Sequence, residues 1–355
     1  MVVKQPIVRD ALKLIAPGTQ LRGGIDRILQ AGMGAIVVVG DGPGVLALST
    51  GGFLLDAEVT SQRLSELAKM DGAIIISNDA TRIARANVHL VPDGSIPTSE
   101  TGTRHRSAER MARCVNAVVI AVSEELRVVT VYCGAEKRFI RRVPEVLSQA
   151  NQLLGTLERF KSRLDVSAAS LSSLEMGDVV TVKDVAEVFQ RAEMVRRVAI
   201  EVDDLVVELG REGSLLSLQL QELTSGVSDL RRVLFLDYLK DSKPKTVASV
   251  IKNLETLTTE ELADLRKVAG IISDKGSEDL SLSLSPRGHR LIGQLPRLPS
   301  SVASDIVEYF GSLQRVIRAT EDDLGEVVGV GEARARNVKR GLSQLMENNV
   351  FDRYT

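Results

Sequence analysis

Ala35-Ile36-Val37-Val38-Val39-Gly40-Asp41-Gly42-Pro43-Gly44 decides the fold of the first part of the chain. Five apolar, mostly β-branched residues run without a polar break and then meet a strong turn signal. Such a run fits a strand covered on both faces. Ala73-Ile74-Ile75-Ile76 and residues 117–122 have the same character. Arg127-Val128-Val129-Thr130-Val131-Tyr132 alternates and reads as a strand near an edge. Helices fall between the strands. Residues 61–69 place Leu64, Leu67 and Ala68 on one side. Residues 104–115 place Ala108, Met111, Ala112 and Val115 on one face and Arg106, Arg110 and Arg113 on the other. The expectation for residues 1–146 is an α/β domain, a central mixed sheet flanked by helices.

Working outward, residues 147–285 change to an all-helical character. Val146, Leu153, Leu154, Leu157, Phe160 and Leu164 form one stripe. Val188, Ala192, Val195, Ala199, Val202, Val206 and Leu209 follow heptad spacing. A helix over 183–209 would span about 40 Å. A spacer is the plain reading, and an oligomerising or regulatory helix is the sharper one. Ser281-Leu282-Ser283-Leu284-Ser285-Pro286-Arg287-Gly288 is small, polar and turn-rich, which sets a boundary near 285. Residues 286–355 form a third, all-α unit.

The whole-chain properties narrow the function. The 355 residues suit two or three domains. The longest apolar runs are far shorter than a membrane span, and residues 1–20 lack the pattern of an export signal. A membrane partner is not expected, and the cytoplasm is the expected location. Cys114 and Cys133 are the only cysteines, too few for a disulfide framework or a four-ligand zinc site, and they suit a reducing compartment. Net charge is -2, so any nucleic-acid binding must be local. Tryptophan is absent and aromatics total 3%, which argues against base-stacking platforms.

No P-loop pattern occurs. The turn at 40–44 either cradles a phosphate or is a tight strand-to-strand turn. Asp71-Gly72-Ala73 stands at the mouth of a buried strand. A carboxylate there is either a turn residue or one placed to meet a ligand or metal. Gly102-Thr103-Arg104-His105-Arg106-Ser107 opens the following helix. Free N–H groups, the helix dipole and guanidinium forks all favour phosphate there. Cations at a helix N-terminus are otherwise unfavourable, so a bound polyphosphate would account for them. The plainer alternative pairs the arginines with acids such as Glu109.

Asp71-Gly72-Ala73, followed about thirty residues later by Gly102-Thr103-Arg104-His105-Arg106, resembles the paired signature of the diadenylate cyclase family, and Ser123-Glu124-Glu125 after a core strand fits too. The resemblance covers roughly residues 8–146. It implies condensation of two ATP into cyclic di-AMP and two diphosphates with Mg²⁺ or Mn²⁺. It implies that two domains from different subunits meet face to face, within a homo-oligomer expected to be an octamer. Carried over, Asp71, Arg104, His105 and Arg106 are the catalytic candidates. Asp71, Gly72, Leu90, Thr103, Arg104, His105, Arg106, Ser107, Ser123 and Glu124 are the ATP-binding candidates. Asp71 and Glu124 are the candidate metal ligands.

In the tail, Val327-Val328-Gly329-Val330-Gly331 precedes a basic helix, the pattern of a helix-hairpin-helix motif. Gly329 and Gly331 would let the backbone approach a DNA phosphate. Arg336, Lys339 and Arg340 share one helix face. Residues 294–299 resemble a degenerate first hairpin without the glycine pair. Binding of this kind reads the backbone and is salt-sensitive; that branched DNA is a ligand is what the resemblance implies. Three readings stay open: a cyclase with a DNA-sensing tail, a DNA-binding repair scaffold whose first domain binds nucleotide without turnover, and another nucleotidyltransferase or ATPase.

Overall fold

A computed structural model describes residues 6–239, 244–273 and 278–351. The chain divides into two compact units: Met1–Gln152 with Glu201–Gln219, and Leu153–Ile200 with Leu220–Thr355. This partition divides the expected middle segment, 147–285, between the two units.

The first unit holds helices α1 (Pro6–Leu14), α2 (Gln20–Gln30), α3 (Pro43–Ala47), α4 (Ser61–Leu67) and α5 (Thr103–Val115). Its strands are β1 (Ala35–Val39), β2 (Ser49–Thr50), β3 (Phe53–Glu58), β4 (Ala73–Ile76), β5 (Arg82–Leu90), β6 (Val118–Val122), β7 (Val129–Cys133) and β8 (Glu136–Phe139). They form one mixed sheet in the order β2-β5-β4-β1-β6-β7-β8, with β3 also on β5. β1 runs parallel to β4 and antiparallel to β6.

The uninterrupted apolar runs are explained by what covers them. Along β1, Val37 and Val39 pack with Ile25 and Ile28 of α2 and Leu64 of α4. Ile36 and Val38 pack with Ala108, Met111 and Ala112 of α5. Successive side chains point to opposite faces, and both faces are covered by helices, so every position must be apolar.

β7 lies beside the edge strand β8, as expected, yet all five of its residues are buried. Its polar Thr130 is buried too, which made the run look half-exposed. The 40–44 turn does not link strand to strand; it leads into α3, with Gly42 as its N-cap.

Helix α6 (Val143–Met176) and helix α7 (Val182–Leu209) follow. In α7, Val188, Ala192, Val195, Val202 and Leu209 of the expected seam are buried, while Ala199 and Val206 are partly so. After α8 (Ser214–Thr224) come α9 (Val227–Tyr238), α10 (Pro244–Thr256), α11 (Thr259–Ala263) and α12 (Leu265–Ile272). The tail carries α13 (His289–Gly293), α14 (Ser300–Phe310), α15 (Leu313–Arg318), α16 (Glu321–Gly325) and α17 (Glu332–Phe351). Leu291, Ile306, Leu313, Val316, Leu324, Ala335 and Val338 form its core. Among the described residues no helix is long and apolar enough to cross a membrane.

Candidate functional site

The mixed sheet gathers the site at one edge. Ile36 pairs with Ala73 in the parallel β1–β4 ladder, and Ala35 pairs with Val122 in the antiparallel β1–β6 ladder. The starts of β1 and β4 and the end of β6 therefore share an edge. Asp71 and Gly72 precede β4 there, and Ser123 and Glu124 follow β6. β5 runs antiparallel to β4, with Val88 opposite Ala73, so Leu90 reaches the same edge. Leu90 is buried on the α5 face of the sheet.

The first turn of α5 adds the cations. Arg104 places Nη2 3.6 Å from Oδ1 of Asp71 and Nη1 3.9 Å from Oε2 of Glu124. One guanidinium thus spans two carboxylates brought from different strands. All three groups stay open: the side chains of Asp71, Arg104 and Glu124 are 98%, 40% and 61% exposed. Ion pairs this exposed contribute little to the fold, so the arrangement is available for a ligand. Thr103 and Arg106 are exposed at the same helix start, and Ser107 is half-buried. The helix begins with Gly102 as N-cap and no side-chain cap, leaving its first N–H groups available to an anion.

Arg104 does pair with acids, but with Asp71 and Glu124 rather than with Glu109. Glu109 is buried and accepts hydrogen bonds from Thr98 Oγ1, from the Ser99 amide at 3.3 Å and from Arg113 Nη2 at 2.6 Å. Arg110 donates to the Ile96 carbonyl at 2.9 Å and Arg113 to that of Pro97 at 2.9 Å. Glu109, Arg110 and Arg113 thus tie the 96–99 loop to α5, and Arg104 faces the sheet edge instead. His105 turns inward, its ring edge-on to buried Tyr132 at 6.5 Å between centroids. Burial pushes the Glu100 carboxyl up, but the Lys137 ammonium and the Tyr132 hydroxyl together outweigh it and hold the group below its ordinary range.

Sequence reading missed Asn87. Its φ is +54, and it sits where the β4–β5 register shifts. A Cβ on Gly72 would lie 2.8 Å from the Asn87 Cα. A bulge leaves no periodic mark in the sequence, so nothing there pointed to it.

In the tail, α16 and α17 are joined by the six residues 326–331, and α13 and α14 by the six residues 294–299. Gly329 has φ +82, and Arg297 has φ +62 at the corresponding place of the earlier link. The first link therefore keeps the backbone bend of the second without its glycine. Arg336 and Arg340 are exposed, whereas the Lys339 ammonium donates to the Ile317 carbonyl at 2.9 Å. The structure does not present Lys339 with its two neighbours.

Residues 22–137 match the family model described as DisA bacterial checkpoint controller nucleotide-binding. Residues 140–280 match the DisA bacterial checkpoint controller linker region. The chain is 50% identical over 350 residues to the DNA integrity scanning protein DisA of Acidothermus cellulolyticus, covering 98% of this chain and 95% of that one. It is 47% identical over 354 residues to that of Streptomyces griseus, covering 99% and 95%. It is 48% identical over 350 residues to that of Frankia alni, covering 98% of each. A nucleotide-binding unit, a helical linker and full-length similarity at this level place the chain in the DisA family of DNA integrity scanning proteins.

Proposed function

We propose that the chain is a diadenylate cyclase that condenses two ATP into cyclic di-AMP and releases two diphosphates. The observation that supports this best is the Arg104 guanidinium spanning Asp71 and Glu124 at the uncapped start of α5. In this reading Arg104, Arg106, Thr103 and Ser107 hold the phosphates, while Gly72 and Leu90 line the nucleoside pocket. His105 and Ser123 complete the site. Asp71 orients the ribose 3′-hydroxyl, which attacks the α-phosphate of a second ATP as diphosphate departs. Phosphoryl transfer needs positioning and charge neutralisation more than covalent help, and these residues supply both.

One such site holds one ATP, so two must face each other across a subunit interface. An octamer that pairs its cyclase domains meets that need.

Among the described residues no group of three or more His, Cys, Asp or Glu could hold a metal. Two exposed carboxylates fit a Mg²⁺ or Mn²⁺ site completed by substrate phosphates. Asp71 or Glu124 would contribute a carboxylate oxygen to it beside the Arg104 guanidinium, and the ion would offset the charge of the phosphates and polarise the attacking hydroxyl.

The tail completes the reading as a sequence-independent DNA-binding unit, with the 326–331 turn and Arg336 and Arg340 toward phosphate. DNA bound there would modulate synthesis. Incubation with ATP and Mn²⁺, followed by mass analysis, tests the core of this. Cyclic di-AMP is expected; ADP would replace the reading by an ATPase, and no turnover by a nucleotide-binding scaffold.

A further inference from the structure

Gly34 is buried in the link between α2 and β1. Its backbone is outside the left-handed region, so the conformation does not demand glycine. What glycine supplies is room. A Cβ at 34 would overlap Nη1 of Arg104, and would lie 2.9 Å from its Cζ and 3.3 Å from the Val122 carbonyl oxygen. The carbonyl cannot yield, because Ala35 is paired with Val122 in the β1–β6 ladder. The guanidinium can yield, being the far end of a flexible side chain that is 40% exposed.

We propose that Gly34 is a positioning residue for the reaction: its bare Cα is the seat that holds the Arg104 guanidinium between Asp71 and Glu124. A methyl group there would expel the guanidinium toward solvent. The fold would lose little, since only an exposed side chain moves, but the phosphate site would lose its placed cation. This rests on reading Arg104 as a phosphate ligand.

The test is a double-mutant cycle on the full chain, with ATP affinity by titration, turnover to cyclic di-AMP and thermal unfolding as readouts. Gly34→Ala is expected to weaken ATP binding about tenfold or more, the scale of one displaced charged hydrogen-bonding group, with an unfolding midpoint near wild type. In the Arg104→Ala background the same change is expected to have no further effect on binding or turnover. Wild-type behaviour of Gly34→Ala beside a defective Arg104→Ala overturns the proposal and leaves the phosphate reading standing. An undiminished Gly34→Ala effect in the Arg104→Ala background overturns it too. A harmless Arg104→Ala overturns the phosphate reading itself, and with it the role of Gly34. If Gly34→Ala is unstable, recovery of the midpoint in the double variant supports the proposal, and no recovery overturns it.

Discussion

The Cα of Asn87 stands 2.8 Å from where a side chain on Gly72 would begin. The obstacle is backbone in a paired strand, so it cannot swing aside as a flexible side chain would. Gly72→Ala is therefore expected to cost about 1–3 kcal/mol, the usual range for overpacking. It should also displace Asp71, its chain neighbour, and lower synthesis. Denaturant unfolding and turnover check both. Full stability in the alanine variant would mean that β4 and β5 separate easily, and would remove Asn87 from the account of the site.

Asp71 offers the opposite separation of effects. Its side chain is 98% exposed and meets Arg104 only at 3.6 Å. Asp71→Asn should unfold like wild type and bind ATP nearly as well, yet make no cyclic di-AMP. Normal product from that variant would sink the assignment of Asp71 to the chemistry. Arg104→Ala and Arg106→Ala should weaken ATP binding, and unchanged titrations would move the phosphate site elsewhere.

The legible parts of the fold are those where burial is uniform. β1, β4 and β6 are covered on both faces, and their apolar runs said so. The seam of α7 was legible because heptad spacing has few other causes. β5 was not, because Arg82, Arg85 and the bulge at Asn87 break its alternation. β3 was not, because Phe53 and Leu54 are exposed and give no two-face pattern. In α2, Leu21, Ile25 and Ile28 carry helical spacing, but Gly23 and Gly24 dilute it. The site residues were nameable from paired motifs. Their meeting was not, since it depends on β1 being parallel to one neighbour and antiparallel to the other. Gly34 was silent for the same reason: its partner lies seventy residues away, on α5.

The two glycines of the tail turn should behave differently. Gly329 has φ +82, so a side chain there strains the backbone by about 1 kcal/mol whatever DNA does. Gly331 is exposed, has no positive φ and has open space around it. Gly331→Leu is thus expected to leave unfolding and ATP turnover unchanged while reducing DNA affinity. Arg336→Ala and Arg340→Ala should each flatten the salt dependence by about one phosphate contact. Lys339→Ala should act more on stability, since its ammonium is bonded to the Ile317 carbonyl. Unchanged DNA affinity in Gly331→Leu would make the turn a packing element only.

Asp237, at the end of α9, carries a pH dependence that can be isolated. Its Oδ1 accepts the Gly288 and His289 amides at 2.8 and 2.6 Å, and its Oδ2 the Arg290 amide at 2.8 Å. Burial, with the nearby Glu175 carboxylate adding to it, pushes the Asp237 carboxyl up to about 7 against the pull of those three amides. The ordinary value is 3.8. Between these values the folded chain holds a proton that the unfolded chain has released. The contribution of Asp237 to stability must then fall as pH rises from about 4 to about 7, and its burial cost is carried in full above that. Asp237→Asn should remove this component of the slope. It should also lower stability throughout by about 1–3 kcal/mol, because an amide N–H₂ would face a backbone N–H. Urea midpoints of both proteins at pH 5 and pH 8 decide it. Parallel pH profiles would show that Asp237 is ionised across the range, with the three amides outweighing burial.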